Sequence, residues 1–174
     1  MKKTHQDIHD IKVMYVAKLA EVLPWPREQL WDLLHKLWPK IEELSNEQTG
    51  AGERYRIQMS KLANIISAIM CADHNVEFHT SEKGALQTLP IIGMCSAVTS
   101  HFQPGYALAK IEPEITFSEI IPVGAGVIMS VETKRGGQGK RMHSFELTAH
   151  VEGSDRQLFP TPRTITMLKI PVSL

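Results

Sequence analysis

Two cysteines in 174 residues are too few for a disulfide framework. Cys71 and Cys95 lie inside apolar runs and form no CxxC pair, so a reducing, cytoplasmic setting is expected. An excess of either charge is also missing, since 19 basic residues balance 19 acidic ones. Nucleic acids and anionic membrane surfaces recruit basic proteins, so neither is expected as a partner. No apolar run approaches the ~20 residues that span a bilayer, so no membrane span is expected. The Met-Lys-Lys start runs into Asp7 and Asp10, unlike a signal peptide. GxGxxG, P-loop, GxSxG and HExxH patterns are all missing. His101, His143 and His150 lack metal-ligand spacing, so no metal and no cofactor is expected.

What is present is 43% hydrophobic residues, enough for one sizeable core or a core with an appendage. The chain changes character near residue 50. From Asp7 to Leu23, Ile8, Ile11, Leu19 and Leu23 recur at three- and four-residue steps, which predicts an amphipathic helix. Leu23-Pro24-Trp25-Pro26 stops it, and Pro26 suits the first turn of a second helix running to Leu44, kinked or broken at Pro39. Trp25, Trp31 and Trp38 recur every six or seven residues and are expected to anchor this helical arm to the sheet or to a partner. Residues 45–52 are a polar, glycine-bearing linker, which divides the chain into an N-terminal helical extension (1–50) and a second unit (53–174).

Beyond the linker the period shortens. Tyr55, Ile57 and Met59 alternate with polar residues as in a half-buried strand. Ala63-Asn64 reads as a turn and Ile65–Cys71 as a second strand, with a helix through 55–71 as the competitor. Gly84–Phe102 reads as a buried helix, started either at Gly84 or by a Thr88 cap with Pro90 in the first turn. Gly84 and Gly93 read as close-packing positions against the sheet. Ile111–Phe117 alternates as a strand up to Pro122-Val123-Gly124. Val127, Met129, Val131 and Thr133 form the inward set of the next, Gly136–Gly139 a hairpin loop, Phe145–Val151 a further strand and Arg163–Ile170 the last. Short connections make these last three an antiparallel meander. One helix with a long-stranded meander is an α+β pattern.

The run Asn75…His79-Thr80-Ser81-Glu82-Lys83-Gly84-Ala85-Leu86-Gln87-Thr88-Leu89 resembles the start of the central helix in hotdog-fold acyl-CoA thioesterases. Ile115-Thr116-Phe117 and the downstream Pro122-Val123-Gly124 resemble their third strand and its turn. The resemblance covers residues 53–174 and implies a hotdog fold, a curved antiparallel sheet around one central helix. It also implies an acyl-CoA or other acyl-thioester substrate, hydrolysed in a tunnel between subunits, and a homodimer or dimer of dimers. A carboxylate on the helix works as base or nucleophile in such relatives, beside N–H groups that hold an oxyanion. At the matching position this chain has Ile91, and Glu82 stands where a histidine is often found.

The candidate catalytic residues are therefore Glu82, His79 and Thr88, and the candidate substrate-binding residues Asn75, Thr80, Gly84 and Cys95. Glu82 is either a displaced base or an ordinary first-turn acid. His79 and Thr80 either orient the thioester or are a solvated loop residue and a cap. Thr88 also suits a cap, and Cys95 a buried structural thiol. Three readings are open: a thioester hydrolase, a non-catalytic hotdog domain binding an acyl thioester or other apolar ligand, and a dehydratase or isomerase. The last needs a histidine paired with a carboxylate.

Overall fold

A computed structural model describes residues 5–44, 53–81, 84–86, 88–102, 106–113, 116–135 and 142–169. Helix α1 (His5–Val22) and helix α2 (Arg27–Leu37) are followed by strands β1 (Lys40–Leu44) and β2 (Glu53–Gln58). Helices α3 (Lys61–Met70), α4 (Val76–Thr80) and α5 (Thr88–Phe102) come next. Strands β3 (Tyr106–Glu112), β4 (Gly126–Arg135), β5 (Met142–Val151) and β6 (Arg163–Lys169) complete the order. The six strands form one antiparallel sheet in the order β1-β2-β4-β5-β6-β3.

The expected α+β architecture is observed: the sheet's inner face carries Ile57, Met129, Leu147 and Ile165, which pack with Met94, Cys95 and Val98 of α5 in the main core. Strand register explains why they share a face. Ile57 pairs with Val127, Tyr55 with Met129 and Val131 with Leu147, so alternate residues of neighbouring strands point the same way. A smaller cluster of Val16, Leu30 and Leu34 joins α1 to α2, with Trp31 and Trp38 packed against it. Trp31 and Trp38 thus pack within the helical arm, against the cluster that joins α1 to α2, while Trp25 is exposed.

Several elements differ from the sequence reading. The second helix ends at Leu37 instead of reaching Leu44. Trp38 precedes Pro39, and clash with the proline ring drives it to ψ 128°, outside the helical region. Lys40–Leu44 then extends along β2, pairing Ile41 with Ile57. The stretch read as a turn and strand over 63–71 is α3. Its Ser60 hydroxyl accepts the Ala63 N–H at 3.1 Å, an N-cap that starts the helix, and Asn64 and Ala68, one turn apart, face inward.

The strand expected over 111–117 lies at 106–112. Pro113 has no N–H to donate, and the ladder with β6 stops at Glu112 opposite Thr164. Thr133, expected inward, is exposed. The helix at Thr88–Phe102 has Pro90 in its first turn, where the missing N–H costs nothing. The proposed Gly136–Gly139 loop, like Glu114 and Ile115, lies outside the described residues. Among the described residues no helix is long and apolar enough to cross a membrane.

Candidate functional site

The end of α3 places the first functional side chain. Ala72 adopts φ +50°, its N–H donates to the Ile69 carbonyl (3.0 Å), and the Asp73 N–H donates to the Ala68 carbonyl (2.9 Å). These two bonds close the helix as a Schellman turn and fix Asp73 directly beyond it. Asp73 Oδ1 accepts from the Asn75 N–H at 2.8 Å and from the Asn75 side-chain amide at 3.0 Å. These bonds, the backbone one foremost, hold the Asp73 carboxyl below its ordinary range; partial burial opposes them and His79 adds to them. Asp73 is therefore a carboxylate at neutral pH.

His79 lies on α4 and is buried. Its Nε2 is 2.9 Å from Asp73 Oδ2, and its Nδ1 is 3.0 Å from the Ala85 carbonyl. Both partners are acceptors. A neutral imidazole donates to only one of them, whereas a ring carrying both protons satisfies both. Both ring nitrogens thus face fixed acceptors, which hold the orientation of the ring. Beneath it, fully buried Asn64 donates through its amide to the His79 carbonyl (2.9 Å) and the Ala85 carbonyl (3.3 Å).

Gly84 carries the chain from α4 toward α5. A Cβ there would stand 2.1 Å from the Phe78 carbonyl oxygen, so only glycine fits. The close approach is to the α4 backbone rather than to the sheet. Residues 84–86 are held beside 121–123: the Leu86 N–H donates to the Ile121 carbonyl (2.8 Å) and the Val123 N–H to the Gly84 carbonyl (3.0 Å).

The remaining sequence candidates are spread out. Asn75 is exposed and serves Asp73. The Thr80 hydroxyl donates to the Val76 carbonyl (2.8 Å), a bond within its own helix turn. Thr88 is exposed at the start of α5. Cys95 is in the core, where burial pushes its thiol up to about 12. A thiol so placed is not a nucleophile at neutral pH. Glu82 lies outside the described residues. The structure brings His79 together with Asp73 and Asn64, neither of which sequence reading selected. Asp73 had a visible signal, an acid six residues before a histidine with a turn-forming asparagine between them. Asn64 had none, because its role depends on a helix that was read as a turn.

A cavity of about 850 Å³ is lined by residues that include parts of α1, α3 and α5, and neither Asp73 nor His79 is among them. Among the described residues, no group of three His, Cys, Asp or Glu side chains could hold a metal ion.

No family model and no curated protein matches this chain in sequence. Solved structures do match it in shape. The crystal structure of protein af1124 from Archaeoglobus fulgidus matches with a TM-score of 0.60 at 12% identity, over 92% of this chain and 99% of that one. The unliganded R-hydratase PhaJ1 from Pseudomonas aeruginosa gives 0.54 at 10% identity, covering 76% and 88%. The (R)-hydratase from A. caviae involved in PHA biosynthesis gives 0.52 at 14% identity, covering 71% and 99%. Likeness at such identities is a likeness of fold. The chain has the hotdog fold, a six-stranded antiparallel sheet with α5 against its inner face, preceded by N-terminal helices. Its neighbours on that fold include two proteins described as (R)-hydratases.

Two consequences are measurable. Ala72 holds a left-handed conformation that glycine adopts without steric cost, so Ala72→Gly should stabilise the protein by about 1 kcal/mol in urea unfolding. An unchanged or lower midpoint would contradict the turn geometry. Asp73 has a depressed folded-state pKa, so its contribution is present above the unfolded value of about 3.9 and lost as pH falls through the folded value. The stability gap between wild type and Asp73→Asn should be constant near neutral pH and narrow below about pH 4. A gap that ignores pH would remove the carboxylate from this account.

Proposed function

We propose that this protein acts on an acyl thioester and that Asp73 and His79 work as one acid–base unit on it. The reaction class they suit is addition or removal of water at a double bond conjugated to the thioester carbonyl. The observation that carries this reading is the 2.9 Å Asp73–His79 contact, with the other ring nitrogen of His79 held 3.0 Å from the Ala85 carbonyl. Hydration needs a group that takes a proton from water as its oxygen attacks carbon, and then returns a proton to the neighbouring carbon. Asp73 is the more accessible member, its side chain 18% exposed against 7% for His79. Asp73 therefore meets the water, and His79 beneath it supplies or absorbs the compensating charge.

A carboxyl held below its ordinary range is a weak base in open water. A bound acyl thioester covering the site would exclude solvent and raise that value toward the working range. Residues 84–86, which hold Ala85 against His79, precede the N-terminus of α5, the positive end of that helix's dipole. A thioester oxygen accepting there would gain from the positive helix end as charge develops on it. The hydratases among the structural neighbours agree with this reading.

Thioester hydrolysis is the second reading, favoured by the same accessible carboxylate: Asp73 could direct water at the carbonyl carbon instead. Products separate the two. With a panel of trans-2-enoyl-CoA substrates, hydration consumes the conjugated chromophore and releases no thiol, whereas hydrolysis releases free coenzyme A. Asp73→Asn and His79→Gln should each lower kcat/KM for hydration by about 10²–10⁴-fold. Undiminished turnover in both variants would sink the assignment.

Among the described residues the sheet ends in two strands with one unpaired side each, β1 and β3. Such edges invite pairing with another chain, and we propose a homodimer or dimer of dimers joined through one of them. Light scattering of the full chain should give at least twice the chain mass; a monomer would count against the edge-to-edge assembly.

A further inference from the structure

Most lysines among the described residues have a partner. Lys18 pairs with Glu21, Lys110 with Glu112, and Lys134 with Glu132 and Glu146, while Lys12 lies over the Trp38 ring. Lys36, Lys40 and Lys61 make no such contact among the described residues, and all three line one cavity of about 330 Å³. They come from separate elements: Lys36 from the last turn of α2, Lys40 from the start of β1 and Lys61 from the start of α3. His35, beside Lys36, lines the cavity too.

The fold alone does not account for this convergence. Lys36 suits the negative end of the α2 dipole, but Lys61 opens α3, at a positive end where a cation is unfavourable. Among the described residues no carboxylate lines the cavity. Two acids of the neighbouring strands are taken up elsewhere: Arg56 donates to Glu152 through Nε and Nη2 at 2.8 Å each, and its Nη1 is 3.7 Å from Glu42. A chain of zero formal net charge therefore keeps a local concentration of positive charge around an open space. Ser60, also in the lining, accepts the Ala63 N–H at 3.1 Å, which leaves its own O–H to donate.

We propose that this cavity binds a phosphate-bearing small molecule, at a site separate from Asp73 and His79. The chemistry selects phosphate over carboxylate. Lysines are point charges with rotatable donors, matched to a group with about two negative charges and three acceptor oxygens. A single carboxylate would leave most of that charge uncompensated, and no arginine lines the cavity to grip one with two parallel bonds. The volume is at the small end of the range of about 300–1,000 Å³ for ligand sites. The ten residues of α3, about 15 Å of helix, lie between the cavity and Asp73. A bound phosphate would tie the helical arm to β1 and to the helix that carries the acid–base pair at its other end. The site stands independently of the acid–base reading.

The test is calorimetry of the full-length protein with inorganic pyrophosphate at low ionic strength. Pyrophosphate should bind at least about tenfold tighter than succinate, a dicarboxylate control. Lys36→Gln, Lys40→Gln and Lys61→Gln should each weaken it about threefold, and the triple variant about 30-fold. The triple variant, relieved of like-charge repulsion, should melt no lower than wild type without ligand and lose the rise in Tm that pyrophosphate gives wild type. If the triple variant does not fold, the single variants carry the test. Absence of pyrophosphate binding, equal binding of succinate, or unchanged affinity in the variants overturns the proposal. So does mole-for-mole displacement of pyrophosphate by coenzyme A, which would assign the cavity to the carrier of the thioester.

Discussion

The candidate site hangs on one amide. Asn64 is fully buried, and its Nδ2 reaches two carbonyls, those of His79 and Ala85, that belong to different segments. Removing it would take the side-chain donor from the His79 carbonyl, a cost of about 1–3 kcal/mol for a buried acceptor so left. The Ala85 carbonyl also faces His79 Nδ1, so a single oxygen ties the ring to the connection before the central helix. Asn64 is placed in turn by α3, which the Ser60 cap starts and the Ala72 turn ends. One helix therefore fixes the backbone under His79 at its middle and Asp73 at its end.

This arrangement reaches the sheet through Gly84. Because a side chain there would overlap the Phe78 carbonyl, α4 and the 84–86 segment approach more closely than any other residue would permit. The Ala85 N–H donates to that same carbonyl at 2.9 Å. Residues 84–86 then bond to 121–123 ahead of β4, so the acid–base pair is referenced to the rigid core rather than to a free loop. Catalytic geometry has to be held within fractions of an ångström, and a chain of short backbone bonds to a packed sheet does this better than side-chain packing alone.

The legible parts of the sequence were those where one periodicity had a single interpretation. Phe145, Leu147, Ala149 and Val151 alternate, and all four are buried. The helix within Gly84–Phe102 was legible from its small and apolar run, with its start open between Gly84 and Thr88; the structure starts it at Thr88, with Pro90 in the first turn. Reading failed where local pattern and tertiary partner disagreed. Leu37, Ile41 and Leu44 keep helical spacing, but Pro39 forces the chain out of the helix and β2 offers hydrogen bonds to residues 40–44. Ile65, Ile66 and Ile69 have strand propensity, yet the Ser60 cap and the inward Asn64–Ala68 face decide for helix. The site inherited that error. His79 was selected because it matches the loop before the central helix in the resembling family, but its partner Asp73 and its support Asn64 become neighbours only once 61–70 is coiled.

The α3 helix also explains how a charged pair and an apolar cavity coexist a few residues apart. A carboxylate facing the cavity would lose its water without gaining a partner, and a hydrocarbon lying over Asp73 alone would bury a charge at similar cost. The helix separates them by periodicity. Ala63 and Ser67, one turn apart, face the cavity, and Ser67 spends its hydroxyl on the Ala63 carbonyl. Asn64 and Ala68, displaced by one position, face the polar side, where the Ala68 carbonyl accepts the Asp73 N–H. One helix thus keeps the carboxylate of the pair within reach of water while its other face closes on apolar neighbours, so that changes at Ala63 or Ser67 are separable from changes at Asp73 or His79.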